Sequence, residues 1–311
     1  MIEIVARSES MREAIRLADR VAATDANVLI TGESGAGKDA LALYIHSKSE
    51  RAQQSFVKID CATLPSGLLE AELFGYDRGA FTGANEAKPG RLEAAHHGTL
   101  VLDEIAYLST DSQAKLLRVI ETKEFERLGG RKKVTVDARL IALTNVDLSD
   151  AVNRQSFRED LYYRLNVMHI AVPPLRERAQ DLEDLARAFV ATYATKHGRE
   201  TQQISKEALR LLAEYEFPGN VRELANTIER AVIISGNKQL EVADLPEPVR
   251  AAVLVERKRK QPQTLAEVEA AYVQETLEAT KGNKTEAARI LGISRKNLYE
   301  KLARLNRKDE G

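Results

Sequence analysis

A glycine-rich segment near the N-terminus has the residues and spacing of a phosphate-binding loop. The eight residues GESGAGKD follow the apolar run Val28–Thr31 and precede a helical pattern. Glycines let several backbone N–H groups converge on phosphate oxygens, and the N-terminus of the following helix adds its positive end. The lysine of this loop would reach the β- and γ-phosphates of a nucleoside triphosphate. The residues predicted to bind ATP are Gly32, Glu33, Ser34, Gly35, Ala36, Gly37, Lys38 and Asp39.

Two carboxylates at the end of an apolar strand pattern could supply the hydrolytic chemistry. The run Thr99–Leu102 is followed by Asp103 and Glu104, which is the pattern called Walker B. Asp103 would hold Mg²⁺ and Glu104 would orient or deprotonate the attacking water, because phosphoryl transfer depends on positioning and charge neutralisation. Asp39 stands where such loops usually have a Ser or Thr that ligates Mg²⁺, and a carboxylate is itself a hard oxygen ligand. We therefore predict ATP and Mg²⁺ as cofactors, with Asp39 and Asp103 as the metal ligands.

These residues require a sheet that brings strand ends together. Short apolar runs alternate with helical patterns in the first half of the chain, which indicates an α/β domain with a mainly parallel sheet. The predicted strands are Asn27–Thr31, Phe56–Asp60, Thr99–Asp103, Ala138–Thr144 and Met168–Val172. We predict an α/β P-loop NTPase core over residues 1–172 and an all-helical lid over 173–245, interrupted at Phe217–Asn220. A linker rich in proline and charge would follow over 246–263, and then a compact all-α unit over 264–311.

The hexapeptide GAFTGA lies between the two nucleotide-site motifs and consists of Gly79, Ala80, Phe81, Thr82, Gly83 and Ala84. No regular element could bury Phe81 between these glycines, so we expect it to project on a mobile arm. In this position the hexapeptide resembles the signature loop of sigma-54-dependent activators, also called bacterial enhancer-binding proteins. The resemblance extends from about Ile4 to Leu305. It implies an AAA+ ATPase whose six loop residues contact sigma-54 when ATP binds.

The same resemblance implies roles for polar residues further along the chain. Thr144 and Asn145 resemble sensor I, which places a polar side chain near the γ-phosphate. Arg158 and Arg164 resemble arginine fingers, which act on the nucleotide of a neighbouring subunit and make hydrolysis depend on assembly. Arg222 resembles sensor II and would reach the phosphates from the lid.

One residue of the site departs from the family pattern. Asp60 stands where the family usually has an Asn, whose amide holds the Walker B glutamate until sigma-54 is contacted. A carboxylate at this position would repel ionised Glu104, unless one of the two is protonated or a cation or arginine lies between them. We therefore expect the coupling between loop and hydrolysis to differ in this protein.

The C-terminal end of the chain is basic. From Lys281 to Lys308 there are nine basic and two acidic residues, a net charge of +7, whereas the whole chain carries −1. This asymmetry predicts nucleic-acid binding at that end. Residues 282–302 have a helix-turn-helix layout in which Ala287, Ala288, Ile290, Leu291, Leu298 and Leu302 would pack, Gly292 would form the turn and Ser294 would cap the second helix. The residues predicted to bind DNA are Lys284, Thr285, Ser294, Arg295, Lys296, Asn297, Tyr299 and Lys301.

The unit resembles the Fis-type domain that ends these activators, in which the preceding helix, here Leu265–Leu277, forms the dimer interface. The family resemblance implies a hexameric ring with dimeric DNA-binding units bound to double-stranded DNA upstream of promoters. It also implies that ATP hydrolysis remodels closed promoter complexes of the sigma-54 RNA polymerase holoenzyme. The alternative is an AAA+-derived DNA-binding repressor without remodelling activity, which the intact hexapeptide disfavours. A clamp-loader or helicase-like NTPase would not explain both that loop and the helix-turn-helix.

Composition limits the cellular setting. The single cysteine, Cys61, excludes an internal disulfide framework, and no apolar run approaches the roughly 20 residues that a membrane span needs. We predict a cytoplasmic protein without a membrane partner. Members of the family often carry a sensory or phosphoacceptor domain ahead of the ATPase, whereas this ATPase begins close to Met1. We therefore expect either a separate regulatory partner or a truncated form of a longer protein.

Overall fold

The computed structural model describes residues 4–201, 203–251, 253, 269–270, 272–274, 276–277, 280 and 282–306. The chain divides into two compact units, Met1–Arg250 and Ala251–Gly311. Among the described residues, none of the helices is long and apolar enough to cross a membrane.

The larger unit is built on strands and helices that alternate along the chain. Its strands are β1 Val28–Thr31, β2 Phe56–Asp60, β3 Gly75–Tyr76, β4 Lys88–Pro89, β5 Thr99–Asp103, β6 Glu124–Glu126, β7 Lys133–Thr135, β8 Arg139–Thr144, β9 Met168–Ala171, β10 Gln203–Ile204 and β11 Gln239–Leu240. Its helices are α1 Glu9–Ala22, α2 Lys38–Ser47, α3 Ser66–Phe74, α4 Arg91–Ala94, α5 Thr110–Thr122, α6 Leu148–Asn153, α7 Glu159–Leu165, α8 Ala179–His197, α9 Lys206–Glu214 and α10 Asn220–Ile234.

Five of these strands form one parallel sheet in the order β2-β5-β8-β1-β9. They are the five predicted strands, with bounds that differ by at most one residue at either end. The strand that precedes the phosphate-binding loop lies two places from the strand that ends in Asp103, because β8 is inserted between them. The carboxyl ends of all five strands meet at one edge, where ligands bind in open α/β sheets.

The sheet is buried on both faces because its strand residues alternate between two cores. Leu100 and Leu102 pack into one core together with α3 to α7, whereas Val101 packs into the other core with α1 and α2. The interior positions of the three middle strands, residues 28–30, 100–102 and 140–143, are therefore apolar and buried, which explains why the sequence shows continuous apolar runs there. The α/β class predicted from these runs is confirmed.

Three helices, α8 to α10, form the predicted lid, and the break at Phe217–Asn220 separates α9 from α10. The lid continues past residue 245, where the linker was predicted to begin. Residues 247–251 are helical, and Pro246 O accepts the backbone N–H groups of Val249 and Arg250. Proline favours the first turn of a helix because its N–H is not needed there. Residues 254–263 of the predicted linker lie outside the described residues.

The smaller unit contains the predicted pair of helices, α11 Lys284–Ile290 and α12 Arg295–Asn306. Gly292 lies between them with a φ of +67°, and the Ser294 hydroxyl accepts the Asn297 N–H at 3.2 Å, as the predicted turn and cap require. Ala287, Ala288 and Leu298 are buried together with Val273 of the preceding segment.

The predicted packing of Ile290 in this unit is wrong, and part of the predicted dimer helix lies outside the described residues. Ile290 is 52% exposed, and Ile293 packs against the core instead. The reason is that α11 ends at Ile290 and the following turn directs Ile293 inward. Of the predicted dimer helix, residues 269–270, 272–274 and 276–277 are helical, and its other residues lie outside the described part of the chain.

Candidate functional site

The phosphate-binding loop joins β1 to α2, as its sequence predicts. Gly35 and Gly37 have φ angles of +75° and +109°, in the left-handed region that favours glycine. Gly35 also lies against the lid, because a Cβ built on it would be 2.4 Å from Gly219 O. The glycine therefore serves the approach of lid and loop in addition to phosphate binding.

Lys38 is almost fully buried at the start of α2. Its ammonium donates to the carbonyl oxygens of Gly32 at 2.8 Å and Glu33 at 3.3 Å, and it lies 3.9 Å from the Glu104 carboxylate. Burial lowers the pKa of Lys38, while the nearby carboxylates of Glu104, Asp103 and Asp39 oppose this shift. The Lys38 ammonium thus lies next to the predicted Walker B residues.

The two predicted metal ligands are joined by a residue that sequence reasoning missed. The Lys58 ammonium is bonded to Asp39 and lies 2.7 Å from Asp103 Oδ2. Burial lowers the pKa of Lys58, but its bonds to Asp103 and Asp39 outweigh this and raise it overall. Because both carboxylates bind the same ammonium, their oxygens lie close together and favour a cation between them. Hard carboxylate oxygens of this kind also fit Mg²⁺.

Glu104 adopts a left-handed backbone conformation, with a φ of +52°, directly after β5. Its Oε2 accepts the backbone N–H of Asn145 at 3.3 Å, so sensor I meets the Walker B glutamate through its main chain. Thr144, the other residue of the predicted sensor I, ends β8. It is fully buried, and its hydroxyl accepts the Val146 N–H at 3.0 Å, which closes the turn after β8.

Asp60 lies beside the Walker B residues at the end of β2, where it pairs in register with Asp103. Its Oδ1 accepts the Ala62 N–H at 2.8 Å. The adjacent Cys61 is buried, and burial together with the charges of Asp60, Asp103 and Glu104 raises its thiol pKa to about 12. The cysteine is therefore a neutral packing residue among acidic neighbours.

The lid completes a cleft of about 200 Å³ over the phosphate-binding loop. The residues that line it are Ser34, Gly35, Gly37, Lys38, Asp39, Asp103, Glu104, Phe189, Val221, Arg222 and Ala225. Arg222 of α10 donates to the Ser34 hydroxyl at 3.0 Å, and its backbone N–H donates to Gly35 O at 3.3 Å. The structure therefore brings the predicted sensor II arginine to the loop.

A buried asparagine fastens the lid to the loop. Asn220 donates to Glu33 Oε2 at 3.0 Å and to Ser34 O at 3.1 Å, and its Oδ1 accepts the Leu175 N–H at 2.8 Å. Arg176 adds two bonds to the Glu33 carboxylate at 2.6 and 2.9 Å. These bonds, that of Arg176 first, lower the pKa of Glu33 to about 2. Sequence reasoning placed Glu33 only in the nucleotide loop and missed its role in holding the lid.

A second junction ties the start of the lid to the N-terminal segment. Asp181 is fully buried and accepts the backbone N–H groups of Arg7 at 2.6 Å and Ser8 at 2.8 Å, together with the Ser8 hydroxyl at 2.9 Å. The buried Arg178 guanidinium donates to Ala36 O of the phosphate-binding loop. The loop, the lid and the N-terminal segment are thus held as one polar network.

The predicted sigma-54 contact loop is compact in this structure. Gly79 and Gly83 have φ angles of +84° and +105°, and the loop closes on itself through Gly79 N–H to Ala84 O at 2.8 Å. Phe81 is 41% exposed and packs edge-on against Tyr76, with ring centroids 4.9 Å apart. The Tyr76 ring therefore covers part of the Phe81 side chain, which the sequence predicts to project on a mobile arm.

The base of the loop is clamped to the β6–β7 hairpin. Asp77 N–H donates to Leu128 O at 3.0 Å, and the Arg127 guanidinium lies 3.6 Å from the Asp77 carboxylate. Gly129 allows a close approach, because a Cβ at this position would be 2.8 Å from the Cα of Ala80. The loop therefore moves only together with this hairpin or by breaking these contacts.

The two candidate arginine fingers lie away from the cleft of their own chain. Arg158 pairs with Asp160 at 2.7 Å, and Arg164 lies 3.2 Å from Glu121. The fully buried Gln113 holds the first of them. Its Oε1 accepts the Arg158 N–H at 2.8 Å, and its Nε2 donates to Leu108 O and Ser156 O at 2.8 and 3.1 Å.

The predicted DNA-binding residues form one exposed set, with a single exception. The side chains of Lys284, Thr285, Ser294, Arg295, Lys296, Asn297 and Tyr299 are exposed. The Lys284 ammonium lies 5.0 Å from the centroid of the Tyr299 ring. Lys301 is half-buried, and its ammonium pairs with Glu269 of the preceding helix. Lys301 therefore also links the second helix of the unit to the preceding helix in this structure.

Comparisons with known proteins agree with this geometry. Family models match three consecutive parts of the chain: the Sigma-54 interaction domain over residues 4–171, the AAA+ ATPase lid domain over 176–262, and the bacterial regulatory protein, Fis family, over 264–305. The transcriptional regulatory protein FlbD of Caulobacter vibrioides is 46% identical over 96% of this chain and 69% of its own length. The regulatory protein AtoC of Escherichia coli is 43% identical over 96% of this chain and 67% of its own.

Solved structures give the same result. NtrX from Brucella abortus in complex with ADP matches with a TM-score of 0.73 and 33% identity, covering 98% of this chain and 69% of NtrX. The complex of NtrX with ATP matches with a TM-score of 0.72 and 34% identity, covering 97% of this chain and 69% of NtrX. The matches therefore extend over the parts of the chain that hold the nucleotide cleft and the helix-turn-helix. The chain belongs to the sigma-54-dependent transcription activators, with an AAA+ ATPase domain that binds nucleotide and a Fis-type DNA-binding domain.

Proposed function

We propose that this chain couples ATP hydrolysis to the remodelling of closed promoter complexes of sigma-54 RNA polymerase. The observation that carries the proposal is the short path between the cleft and the GAFTGA loop. β2 ends with Asp60 beside Asp103, and α3 then leads directly into β3 and the loop. A change at the carboxylates on nucleotide binding would therefore reach Phe81 through a single helix.

The side chains of the cleft suit hydrolysis. Glu104, held by the Asn145 N–H, would orient the attacking water and accept its proton. Lys38 would exchange its bonds to the loop carbonyls for bonds to phosphate oxygens. Asp39 and Asp103 would hold Mg²⁺, which neutralises phosphate charge when bound. Arg222 would approach the nucleotide from the lid.

A ring of subunits, hexameric in the family, would complete the site. Arg158 and Arg164 have exposed side chains and do not line their own cleft, which suits action on a neighbour's nucleotide. Two large apolar side chains, Tyr163 and Val167, are exposed next to them. Exposed apolar groups of this kind favour a protein interface.

The smaller unit would hold the ring on upstream DNA. Its exposed Lys284, Arg295 and Lys296 suit phosphate contacts, and Asn297 suits a base edge. Binding should therefore weaken steeply as salt rises, since phosphate contacts release counterions. Arg295→Ala should weaken binding and make the salt dependence shallower, as seen by fluorescence anisotropy. An unchanged salt slope would contradict the phosphate contact.

The main test separates remodelling from hydrolysis. Phe81→Ala should leave the fold, assembly and ATPase rate intact, because the cleft residues lie elsewhere. It should abolish binding to sigma-54 in the presence of ADP and aluminium fluoride, and with it promoter opening. Tyr107→Ala removes another exposed aromatic side chain and is the matched control. Full transcription by Phe81→Ala from a sigma-54 promoter would refute the proposal and leave the repressor alternative.

Assembly is tested by mixing subunits. Glu104→Gln should bind nucleotide without hydrolysing it, and Arg158→Ala should bind nucleotide but supply no finger. If the arginine acts in trans, the Glu104→Gln protein should restore hydrolysis to the Arg158→Ala protein when the two are mixed. ATPase activity per subunit should also rise with protein concentration. A rate that does not depend on concentration in a monomer would exclude the ring.

A further inference from the structure

Three acidic residues, Asp39, Asp103 and Glu104, line the cleft together with two basic ones, Lys38 and Arg222. The carboxylates of Asp39, Asp103 and Glu104 all act on Lys38, which is the only one of the loop residues that carries positive charge. A nucleoside triphosphate adds up to about four negative charges to this site at neutral pH. Like charges at such short range oppose binding unless a cation compensates them.

Lys58 is the cation that meets this need from β2. It pairs in register with Val101 of β5, two residues before Asp60 pairs with Asp103. The neighbouring Ile59 is buried in the core. Because successive residues of a strand point to opposite faces, the packing of Ile59 also fixes the face on which Lys58 lies. Its ammonium reaches both carboxylates, although its side chain stays 37% exposed.

We propose that Lys58 is a resident counter-cation of the nucleotide site, which holds Asp39 and Asp103 together and makes nucleotide binding partly independent of divalent metal. This inference rests on the nucleotide site and on the metal ligands assigned under the proposed function. Lys58 and Mg²⁺ act on the same two carboxylates, so their contributions to nucleotide affinity overlap. The loss of one should increase dependence on the other.

The test measures binding of the non-hydrolysable analogue AMPPNP by the full chain, in EDTA and in saturating Mg²⁺. In EDTA, Lys58→Met should weaken binding roughly tenfold, because two carboxylates lose their nearest cation. In Mg²⁺ the loss should be much smaller, so the enhancement by Mg²⁺ grows. Lys58→Arg should keep the wild-type ratio. The matched control is Lys133→Met, which removes a lysine paired with Glu124 on the β6–β7 hairpin. It should change the AMPPNP affinity neither in EDTA nor in Mg²⁺.

Two further measurements keep the result interpretable. Without nucleotide, Lys58→Met should bind Mn²⁺ several-fold more tightly than the wild type in an electron paramagnetic resonance titration, since the competing cation is gone. Asp39→Asn combined with Lys58→Met should recover metal-free AMPPNP binding, because one uncompensated charge is removed. If Lys58→Met is unstable by circular dichroism, Lys58→Gln replaces it.

An equal loss of affinity in EDTA and in Mg²⁺ would overturn the inference, and so would unchanged Mn²⁺ binding. Either result would make Lys58 a packing residue of the strand. Both measurements are independent of sigma-54 and DNA, so failure of the remodelling proposal would leave them unaffected.

Discussion

The junction between lid and phosphate-binding loop depends on one amide, which Asn220→Asp tests. This change keeps the size of the side chain, its acceptor for the Leu175 N–H and its tolerance of the positive φ of +55°. It replaces the donor nitrogen with an oxygen 3.0 Å from Glu33 Oε2 and 3.1 Å from Ser34 O. Two hydrogen bonds become two repulsive contacts.

The magnitude follows from these contacts. The bond to Ser34 O contributes about 1 kcal/mol and the bond to ionised Glu33 about 2 kcal/mol. Repulsion between the carboxylates adds only about 1 kcal/mol, because Glu33 is 42% exposed and paired with Arg176. The total of about 4 kcal/mol corresponds to a melting temperature lower by about 10 °C for a unit of this size.

The measurement combines thermal unfolding by circular dichroism with AMPPNP binding. Nucleotide affinity should fall together with stability, since Ser34 and Arg222 of the same junction line the cleft. In the double variant Glu33→Gln with Asn220→Asp, the new glutamine amide can donate to the new aspartate carboxylate, which reverses the original hydrogen bond. The loss of stability should therefore be about 2 kcal/mol smaller than the sum of the losses in the two single variants. A single variant within about 1 kcal/mol of the wild type, or a double variant without recovery, would refute the reasoning.

Three further predictions follow from other contacts. Gln113→Met removes the amide that holds Arg158, so the ATPase kcat should fall at least about tenfold with unchanged AMPPNP affinity; an unchanged kcat would contradict the positioning role. The pKa of Glu33 is lowered from 4.5 to about 2, mainly by its bond to Arg176, so ionised Glu33 stabilises the fold above pH 4.5 and this contribution is lost as pH falls towards 2. The difference in melting temperature between wild type and Glu33→Gln should shrink over that range, and a difference independent of pH would disagree. Leu298→Ala should destabilise the smaller unit by about 2–5 kcal/mol and abolish DNA binding, as measured by circular dichroism and anisotropy, with ATPase activity retained; wild-type DNA affinity would contradict it.

Features that depend on neighbouring residues could be predicted from the amino-acid sequence. The phosphate-binding loop between strand and helix, the strand ending at Asp103 and the turn at Gly292 all follow from local spacing and glycine positions. The five sheet strands could be placed within one residue at either end because strands of a parallel sheet are largely apolar. The GAFTGA loop and the Fis-type unit were recognisable from contiguous residues.

Contacts between side chains that are distant in sequence became visible only in the folded chain. Lys58 joins Asp39 and Asp103 because β2 pairs with β5, an order of strands that local spacing does not specify. Asn220 reaches Glu33 across 187 residues because the lid folds back over the loop. Contacts of this kind arise from the packing of whole elements against each other, so no local pattern encodes them.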